Sequence, residues 1–272
     1  MCGIVGMVST SPVNQQIYDS LALLQHRGQD STGIATLDGS SFSLHKSKGQ
    51  VREAYRTRDM RRLVGNTGLG HVRYATRGKA KREEEAQPFY VNSPFGIVLV
   101  HNGNLTNTRE LTDQLRAHDR RHLNTSSDTE LLVNVLASEL HQSSNGTGFH
   151  PDKLFDAISR LHERVEGSYA AIALIAGAGL VAFRDPFGIR PLILGKRQAG
   201  LLGDEWVVAS ESLVLESGEY DIVKDLEPGE AVFIGTDGQM VAKQCSASPK
   251  LHPCAFEYVY LARPDSVMNG IS

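Results

Sequence analysis

The sequence begins Met1-Cys2-Gly3-Ile4-Val5-Gly6, which places a cysteine directly after a methionine and at the start of an apolar stretch. If Met1 is removed, Cys2 carries both a thiol and a free α-amine. A free thiol has a pKa of about 8.5, and a chain-terminal amine titrates near ~7.7–8.0 whereas a lysine amine titrates near ~10.4. The terminal amine therefore has a neutral fraction at neutral pH and can act as the base for its own thiol. The alternative interpretation is a small buried cysteine in a core strand.

Length and composition limit the classes of protein to consider. The 272 residues suffice for one large domain, alone or with an extension. The formal net charge of −3 provides no basic field for nucleic acid, so we expect no nucleic-acid partner. Three cysteines form no secreted disulfide framework, and the longest apolar run, residues 170–183, is interrupted by glycines and is too short for a membrane helix. We expect a cytoplasmic protein without a membrane partner.

The hydrophobic pattern predicts a layered α+β domain in which helices cover sheets. Residues 2–8 are typical of a strand, and the helical spacing of Ile17, Leu21 and Leu24 predicts a helix over residues 14–25. A hairpin is expected around Asp38-Gly39. Further predicted helices cover residues 51–64 and 108–118, start at Ser127 with a capping box to Glu130, and start at Pro151. Predicted strands cover residues 68–76, 95–101, 169–175, 180–184, 192–195, 206–210, 221–223, 231–234, 240–244 and 255–262.

Polar stretches interrupt these elements at several points. Residues 25–33 form a polar loop with two glycines, and residues 77–86 are charged and typical of a mobile surface loop. Asn102-Gly103 after a strand usually marks a turn, but an amide beside a glycine N–H can also hold an oxyanion. Asp128 is explained by the dipole of the helix that it starts, unless it binds a ligand.

The motifs as a group resemble those of class II glutamine amidotransferases, which are N-terminal-nucleophile hydrolases. They are Met1-Cys2-Gly3-Ile4-Val5-Gly6, Gln25-His26-Arg27-Gly28-Gln29-Asp30, Gly70-His71-Val72-Arg73-Tyr74-Ala75-Thr76, His101-Asn102-Gly103-Asn104-Leu105 and Ser126-Ser127-Asp128. Two further stretches narrow the resemblance to family members in which a phosphoribosyltransferase domain follows. They are Phe183-Arg184-Asp185-Pro186-Phe187-Gly188-Ile189-Arg190-Pro191-Leu192 and Phe256-Glu257-Tyr258-Val259-Tyr260-Leu261-Ala262-Arg263-Pro264-Asp265-Ser266. This resemblance implies a four-layer αββα sandwich that hydrolyses glutamine to glutamate and ammonia.

The resemblance also implies roles for individual residues. Cys2 is the nucleophile and its amine, freed by loss of Met1, is the base. The Asn102 side chain and the Gly103 N–H hold the oxyanion. The remaining assignments are Arg73 for the substrate carboxylate, Asp128 for its ammonium group, Arg27 and Gly28 for support of the nucleophile, Thr76 for closure of the pocket and the loop after Arg73 for a lid.

Beyond the glutaminase part, the resemblance implies a two-domain enzyme of purine biosynthesis. Residues 1–244 correspond to the glutaminase domain, and residues 245–272 to a linker and the start of a phosphoribosyltransferase domain. The partners implied are glutamine, phosphoribosyl diphosphate through that second domain, and other copies of the chain in a homo-oligomer. The glutaminase part needs no cofactor or metal, Mg²⁺ belongs to the second domain, and Cys245 with Cys254 cannot complete an iron–sulfur site.

Two other classes stay open. One is a non-catalytic regulatory or docking module with the same fold, and the other is a redox or metal protein that uses Cys2. The presence of Cys2, Arg73, Asn102, Gly103 and Asp128 together disfavours the first. The lack of a second cysteine or a His/Asp cluster near Cys2 in sequence disfavours the second.

Overall fold

A computed structural model describes residues 2–74, 83–200 and 203–271. The helices are α1 (Asn14–Leu23), α2 (Val51–Ala54), α3 (Thr57–Met60), α4 (Thr108–Ala117), α5 (Asp128–Ser144), α6 (Pro151–Arg164) and α7 (Ser212–Ser217). The strands are β1 (Gly3–Val8), β2 (Ser31–Asp38), β3 (Ser41–Lys48), β4 (Thr67–Arg73), β5 (Phe89–Val91), β6 (Ile97–Leu105), β7 (Gly167–Ile175), β8 (Gly179–Arg184), β9 (Ile193–Gln198), β10 (Asp204–Ala209), β11 (Asp221–Asp225), β12 (Glu230–Gly235) and β13 (Met240–Gln244). Leu24–Arg27 and Glu83–Glu85 are short 3₁₀ helices, and Glu257–Leu261 is a π-helical turn.

Within the described ranges the strands form two antiparallel sheets. The first has seven strands in the order β11-β9-β10-β1-β4-β2-β3, and the second has six in the order β13-β12-β8-β7-β6-β5. Strand β1 lies inside the first sheet, where it is hydrogen-bonded to β10 on one side and to β4 on the other. The beginning of the chain is therefore held in the centre of a sheet.

The two sheets pack face to face, and the alternation of residues along β1 shows how. Ile4 and Val8 belong to the core between the sheets, whereas Val5 and Met7 belong to the core beneath α1. Because side chains alternate, Cys2 shares the face of Ile4 and points between the sheets.

Helices cover both outer faces of this sandwich. On the first sheet, α1 packs against β4 at Gly70, where an added Cβ would lie 2.6 Å from Ile17 Cγ2. On the second sheet, α4, α5 and α6 contribute to one core with the outward residues of β6, β7 and β8. The order helix, sheet, sheet, helix confirms the four-layer αββα fold that the resemblance implies.

Most predicted elements are present, among them β1, α1, the β2–β3 hairpin, α4, α6 and the strands predicted between residues 169 and 244. The helix expected over residues 51–64 is wrong, because only the two short helices α2 and α3 form there. The Asn102-Gly103 turn is also wrong, since β6 continues to Leu105 and pairs with β7. Strand β5 and helix α7 were not expected, and β2 begins inside the predicted polar loop.

Two further predictions need correction. Residues 255–262 were expected to form a strand, but the chain there is helical, and the aromatic residues that suggested a strand are mostly exposed. Helix α5 does begin after Ser127, whose side chain accepts the N–H of Thr129. The carboxylate of Glu130 instead accepts the backbone N–H groups of Asn124 and Thr125, so it does not complete the expected capping box.

None of the helices within the described parts of the chain is both long and apolar enough to span a membrane.

Candidate active site

The first residue of the site is Cys2, which is buried and lies directly before β1. Its backbone nitrogen donates to Oδ1 of Asn102 at 3.0 Å, across the gap from β1 to β6. Its sulfur lies 3.8 Å from the carbonyl oxygen of Tyr74. Burial raises the pKa of the Cys2 thiol, so formation of a thiolate requires a base close to the sulfur.

The side chain of Asn102 is oriented by that contact. Because Oδ1 accepts from Cys2, the amide nitrogen Nδ2 is turned the other way, and it has no partner among the described residues although it is buried. A buried donor without a partner is costly in a folded protein unless a ligand or water completes it. Nδ2 of Asn102 is therefore placed to donate to a group that enters beside Cys2.

Gly103 provides a backbone N–H that points away from β7. The N–H of His101 donates to Gln87 and the N–H of Leu105 donates to Asp128, both away from β7. Alternation along a strand gives the Gly103 N–H, midway between them, the same direction. A Cβ at Gly103 would lie 1.9 Å from the carbonyl oxygen of Ser168, so the position requires glycine.

Arg73 lies at the end of β4, next to the start of β1, because Gly3 pairs with Val72. Its Nη2 donates to Oε2 of Glu85 at 3.1 Å, and Oε1 of Glu85 accepts from Ser126 Oγ at 2.9 Å. The backbone of Arg73 packs directly against Gly28, and only glycine fits there, since an added Cβ would lie 2.4 Å from the carbonyl carbon of Arg73. A buried guanidinium is thus held in the site with its main chain fixed.

Asp128 is the first residue of α5 and brings a carboxylate to the same end of the sandwich. Its Oδ2 accepts the N–H of Leu105 at 3.3 Å and lies 3.7 Å from Nε2 of His101. Burial lowers the pKa of His101, although the Asp128 carboxylate opposes this shift, and so disfavours the charged imidazole that an ion pair would need. The start of α5 adds a favourable dipole for the carboxylate, which explains its location without excluding a ligand.

Arg27 contacts the backbone of Cys2 from the other side. Its Nε donates to the carbonyl oxygen of Cys2 at 3.0 Å. Two carboxylates, those of Glu211 and Glu257, accept from the other guanidinium nitrogens. The backbone of Cys2 is therefore fixed at its nitrogen by Asn102 and at its carbonyl by Arg27.

The structure thus brings together Cys2, Arg73, Asn102, Gly103 and Asp128, with Arg27 and Gly28 directly behind them. Met1, Thr76 and residues 77–82, which are most of the predicted lid over residues 77–86, lie outside the described residues. The end of the predicted lid is not a surface loop, because Glu85 and Ala86 are buried. The sequence interpretation missed Glu85, Glu211 and Glu257, for which a signal existed only at Glu257, an acidic residue within an apolar stretch.

The other two cysteines lie apart from this site. Burial raises the pKa of the Cys245 thiol to about 11, and Cys254 is half-buried. Within the described ranges, no group of three or more His, Cys, Asp or Glu side chains is arranged to hold a metal ion.

Comparison with known proteins identifies the class of this site. The family described as "Glutamine amidotransferase domain" matches residues 71–217, which is more than half of the chain. The chain belongs to the glutamine amidotransferase family. The match begins at β4 and includes Arg73, Asn102, Gly103 and Asp128, and β1 with Cys2 is paired directly with its first strand.

Individual relatives of this glutamine amidotransferase are similar over its whole length. It is 53% identical to amidophosphoribosyltransferase of Pasteurella multocida and 51% identical to that of Escherichia coli K12, in each case over 100% of this chain and 54% of the relative. A solved glutamine phosphoribosylpyrophosphate amidotransferase from B. subtilis, complexed with ADP and GMP, superimposes with a TM-score of 0.85 at 32% identity over 100% of this chain and 55% of that chain. The chain spans about half the length of the curated relatives it matches.

Proposed function

We propose that this domain hydrolyses glutamine to glutamate and ammonia with the thiol of Cys2 as the nucleophile. The observation that carries the proposal is the contact of the Cys2 nitrogen with Asn102 Oδ1 at 3.0 Å, which leaves Nδ2 of Asn102 buried without a partner among the described residues. One residue thereby orients the nitrogen of Cys2 and offers a donor to a substrate oxygen. Such a donor, fixed before the reaction, stabilises negative charge that develops in the transition state.

The proposed steps use the residues around Cys2. After loss of Met1, the α-amine of Cys2 accepts the thiol proton, and the sulfur attacks the side-chain carbonyl carbon of glutamine. The oxygen of the tetrahedral intermediate accepts from Asn102 Nδ2 and the Gly103 N–H. The protonated amine returns its proton to the departing ammonia, which leaves a thioester on the sulfur, and water hydrolyses this thioester to glutamate.

Two charged residues bind the substrate in this proposal. Arg73 takes the α-carboxylate, because a guanidinium can donate to both oxygens of a carboxylate. Asp128 takes the α-ammonium group. Thr76 and the loop that follows Arg73 close over the bound glutamine and exclude water.

A labelling experiment tests the nucleophile and the substrate class together. The protein is treated with 6-diazo-5-oxo-norleucine, a glutamine-shaped alkylator, and the adduct is located by peptide mapping while ammonia release from glutamine is measured. We expect the label on Cys2 and loss of both reactions in Cys2→Ala. Cys245→Ser, a change at a cysteine in the core of the second sheet and outside the site, is the matched control and retains both. Normal ammonia release by Cys2→Ala would refute the assignment.

The role of the amine needs its own test. We expect a preparation that intact mass shows to retain Met1 to hydrolyse glutamine poorly, because the Cys2 nitrogen is then part of a peptide bond. Equal activity with and without Met1 would contradict the amine as base.

We further propose that the ammonia is used by a phosphoribosyltransferase domain, which makes 5-phosphoribosylamine from phosphoribosyl diphosphate in the first step of purine biosynthesis. The support is that the relatives from Pasteurella multocida and Escherichia coli are amidophosphoribosyltransferases, each about twice as long as this chain. Residues 1–244 are then the glutaminase domain and residues 245–272 the connection to the second domain, which also takes the Mg²⁺. We propose that the whole protein is a cytoplasmic homo-oligomer. Phosphoribosyl diphosphate should raise the glutaminase rate of the full-length protein, and an unchanged rate would contradict the coupling.

A non-catalytic module with the same fold is the alternative. It would bind glutamine without releasing ammonia, and 6-diazo-5-oxo-norleucine would not modify Cys2.

A further inference from the structure

The guanidinium of Arg27 is fully buried, and each of its three nitrogens has an acceptor. Nε donates to the carbonyl oxygen of Cys2 at 3.0 Å, Nη1 donates to Glu211 Oε1 at 2.6 Å, and Nη2 donates to Glu257 Oε2. The planar guanidinium fixes these three directions relative to one another. A movement of either carboxylate therefore changes the direction of the N–H that holds Cys2.

Both carboxylates are tied to residues 254–271, which we call the tail segment. Glu257 belongs to its π-helical turn, and its Oε1 accepts from Arg190 Nη1 at 3.0 Å. Glu211 follows β10, and its Oε2 accepts from Ser266 Oγ at 2.6 Å and from the backbone N–H of Arg263 at 3.3 Å. The tail segment thus contacts the two groups that hold Arg27.

Stability alone is a poor explanation for this arrangement. Removing several charges from water is expensive, and apolar side chains of similar volume often stabilise a core equally well. What ionic groups add is a defined direction for each contact, because every charge must find its partner. A π-helical turn, which is rare and often lies at functional sites, presents one of the two carboxylates.

We propose that Glu257 and Glu211 are positioning residues for the nucleophile, which act through Arg27, so that the position of the tail segment sets the orientation of the Cys2 thiol. This inference rests on the proposed function of Cys2. It makes the tail segment a route by which whatever is attached to it can change the reactivity of the thiol without contact with glutamine.

The test measures inactivation by 6-diazo-5-oxo-norleucine, with separate values for the maximal inactivation rate and the half-saturating concentration. In Glu257→Ala we expect the maximal rate to fall roughly 10- to 100-fold, the scale of a reacting group displaced by a fraction of an ångström to one ångström. The half-saturating concentration should stay unchanged, because Glu257 does not touch the substrate. Glu257→Gln keeps a neutral acceptor for Arg27 and should recover part of the maximal rate. If Glu257→Ala does not fold, Glu257→Gln replaces it in the test.

Two control variants separate positioning from folding. Asp265→Asn removes an exposed ion pair with Arg263 from the same tail segment and should leave the rate unchanged. Glu205→Gln disrupts a buried carboxylate bonded to Ser9 and Thr10, at the far end of β1 from Cys2. It should lower stability while each folded molecule reacts at the normal rate.

A double-mutant comparison tests whether Glu257 acts through Arg27. In the Arg27→Lys variant, the further change Glu257→Ala should lower the maximal inactivation rate only slightly, because the guanidinium that Glu257 orients is already absent. Independent, multiplicative losses would overturn the inference, as would a normal maximal rate in both Glu257 variants. If the unaltered protein neither reacts with 6-diazo-5-oxo-norleucine nor releases ammonia, the proposed function fails instead.

Discussion

Arg73 and Glu85 form a buried ion pair in which Nη2 donates to Oε2 at 3.1 Å, and Ser126 holds the other oxygen of the carboxylate. The guanidinium proposed to bind the glutamine carboxylate therefore has an anionic partner in the protein itself. Glu85 is buried although it lies in a charged stretch that is typical of a surface loop. We interpret it as the residue that keeps Arg73 in the site.

This pairing predicts the effect of Glu85 on substrate binding. Glu85→Ala leaves a buried charge without its carboxylate, so KM for glutamine should rise by about 10-fold, the scale of one lost hydrogen bond between charged groups. Glu85→Gln keeps an acceptor for Arg73, so its KM should lie between that of the unaltered protein and that of Glu85→Ala. Glu84→Ala, at the exposed neighbouring residue, is the control. Steady-state kinetics that show a lower KM in Glu85→Ala would mean that Glu85 competes with the substrate.

Replacement of Asn102 should affect the chemical step. In Asn102→Ala both the contact to the Cys2 nitrogen and the Nδ2 donor are lost, and kcat should fall by ~10²–10³, as for loss of one oxyanion donor, with a smaller change in KM. Asn134→Ala, which removes a buried amide bonded to the backbone of Glu130, is the matched control. An unaltered kcat in Asn102→Ala would remove this residue from the mechanism.

Gly103→Ala tests the close approach of β6 to β7. The new Cβ would lie 1.9 Å from the carbonyl oxygen of Ser168, so one strand must move away from the other. We expect a loss of stability of about 1–3 kcal/mol, typical of overpacking, and loss of glutaminase activity in the molecules that fold. Gly148→Ala, where no atom lies within 4 Å of the added Cβ, should match the unaltered protein in urea unfolding and in rate.

Asp128→Asn removes the negative charge proposed to bind the glutamine ammonium group. The side chain can still accept the N–H of Leu105, so the fold should survive. KM for glutamine should rise by about 10- to 100-fold because a charge-assisted contact is lost. Glutaric acid monoamide, which lacks the ammonium group, should bind to both forms equally. A loss of the same size with this compound would show that Asp128 acts on the fold instead.

His162 predicts how stability depends on pH. Burial lowers its pKa to about 4, below the ordinary value of 6.5, so the folded protein disfavours its charged form. Stability from this group is present above pH 6.5 and is lost as the pH falls from 6.5 to about 4, because the unfolded chain binds the proton first. Urea unfolding of His162→Gln should show a shallower fall of the unfolding free energy in this window. The pKa values of the buried His71 and His101 are also lowered by burial, so these residues should account for the pH dependence that remains in the variant.

Elements with local signals could be predicted from the sequence. Helix α6 begins at Pro151 and buries Leu154, Phe155, Ile158 and Leu161 at helical spacing, as the pattern indicates. The stretch at Asn102-Gly103 carried a turn signal that the structure does not use. Its pairing with Ala170 and Tyr169 on β7 depends on residues almost 70 positions away, which no local pattern reports.

The site shows the same division between local and long-range information. Cys2, Arg73, Asn102 and Asp128 could be proposed because their motifs resemble a known class, not because spacing places them together. Glu85, Glu211 and Glu257, which hold the arginines of the site, could not be found in this way. In the π-helical turn Val259 and Tyr260 are about 80% exposed while Glu257 is buried, which reverses the usual relation of hydrophobicity and burial.

The central place of β1 in its sheet has a consequence for how the protein matures. Val5 pairs with Ala209 on β10, so the strand that carries Cys2 cannot be enclosed on that side until more than 200 residues have been synthesised. At 5–20 residues per second, synthesis of these residues takes roughly 10–40 s, during which Cys2 stays accessible. Release of the Cys2 nitrogen, which the proposed mechanism requires, is therefore expected on the open chain, before the sandwich closes around that nitrogen.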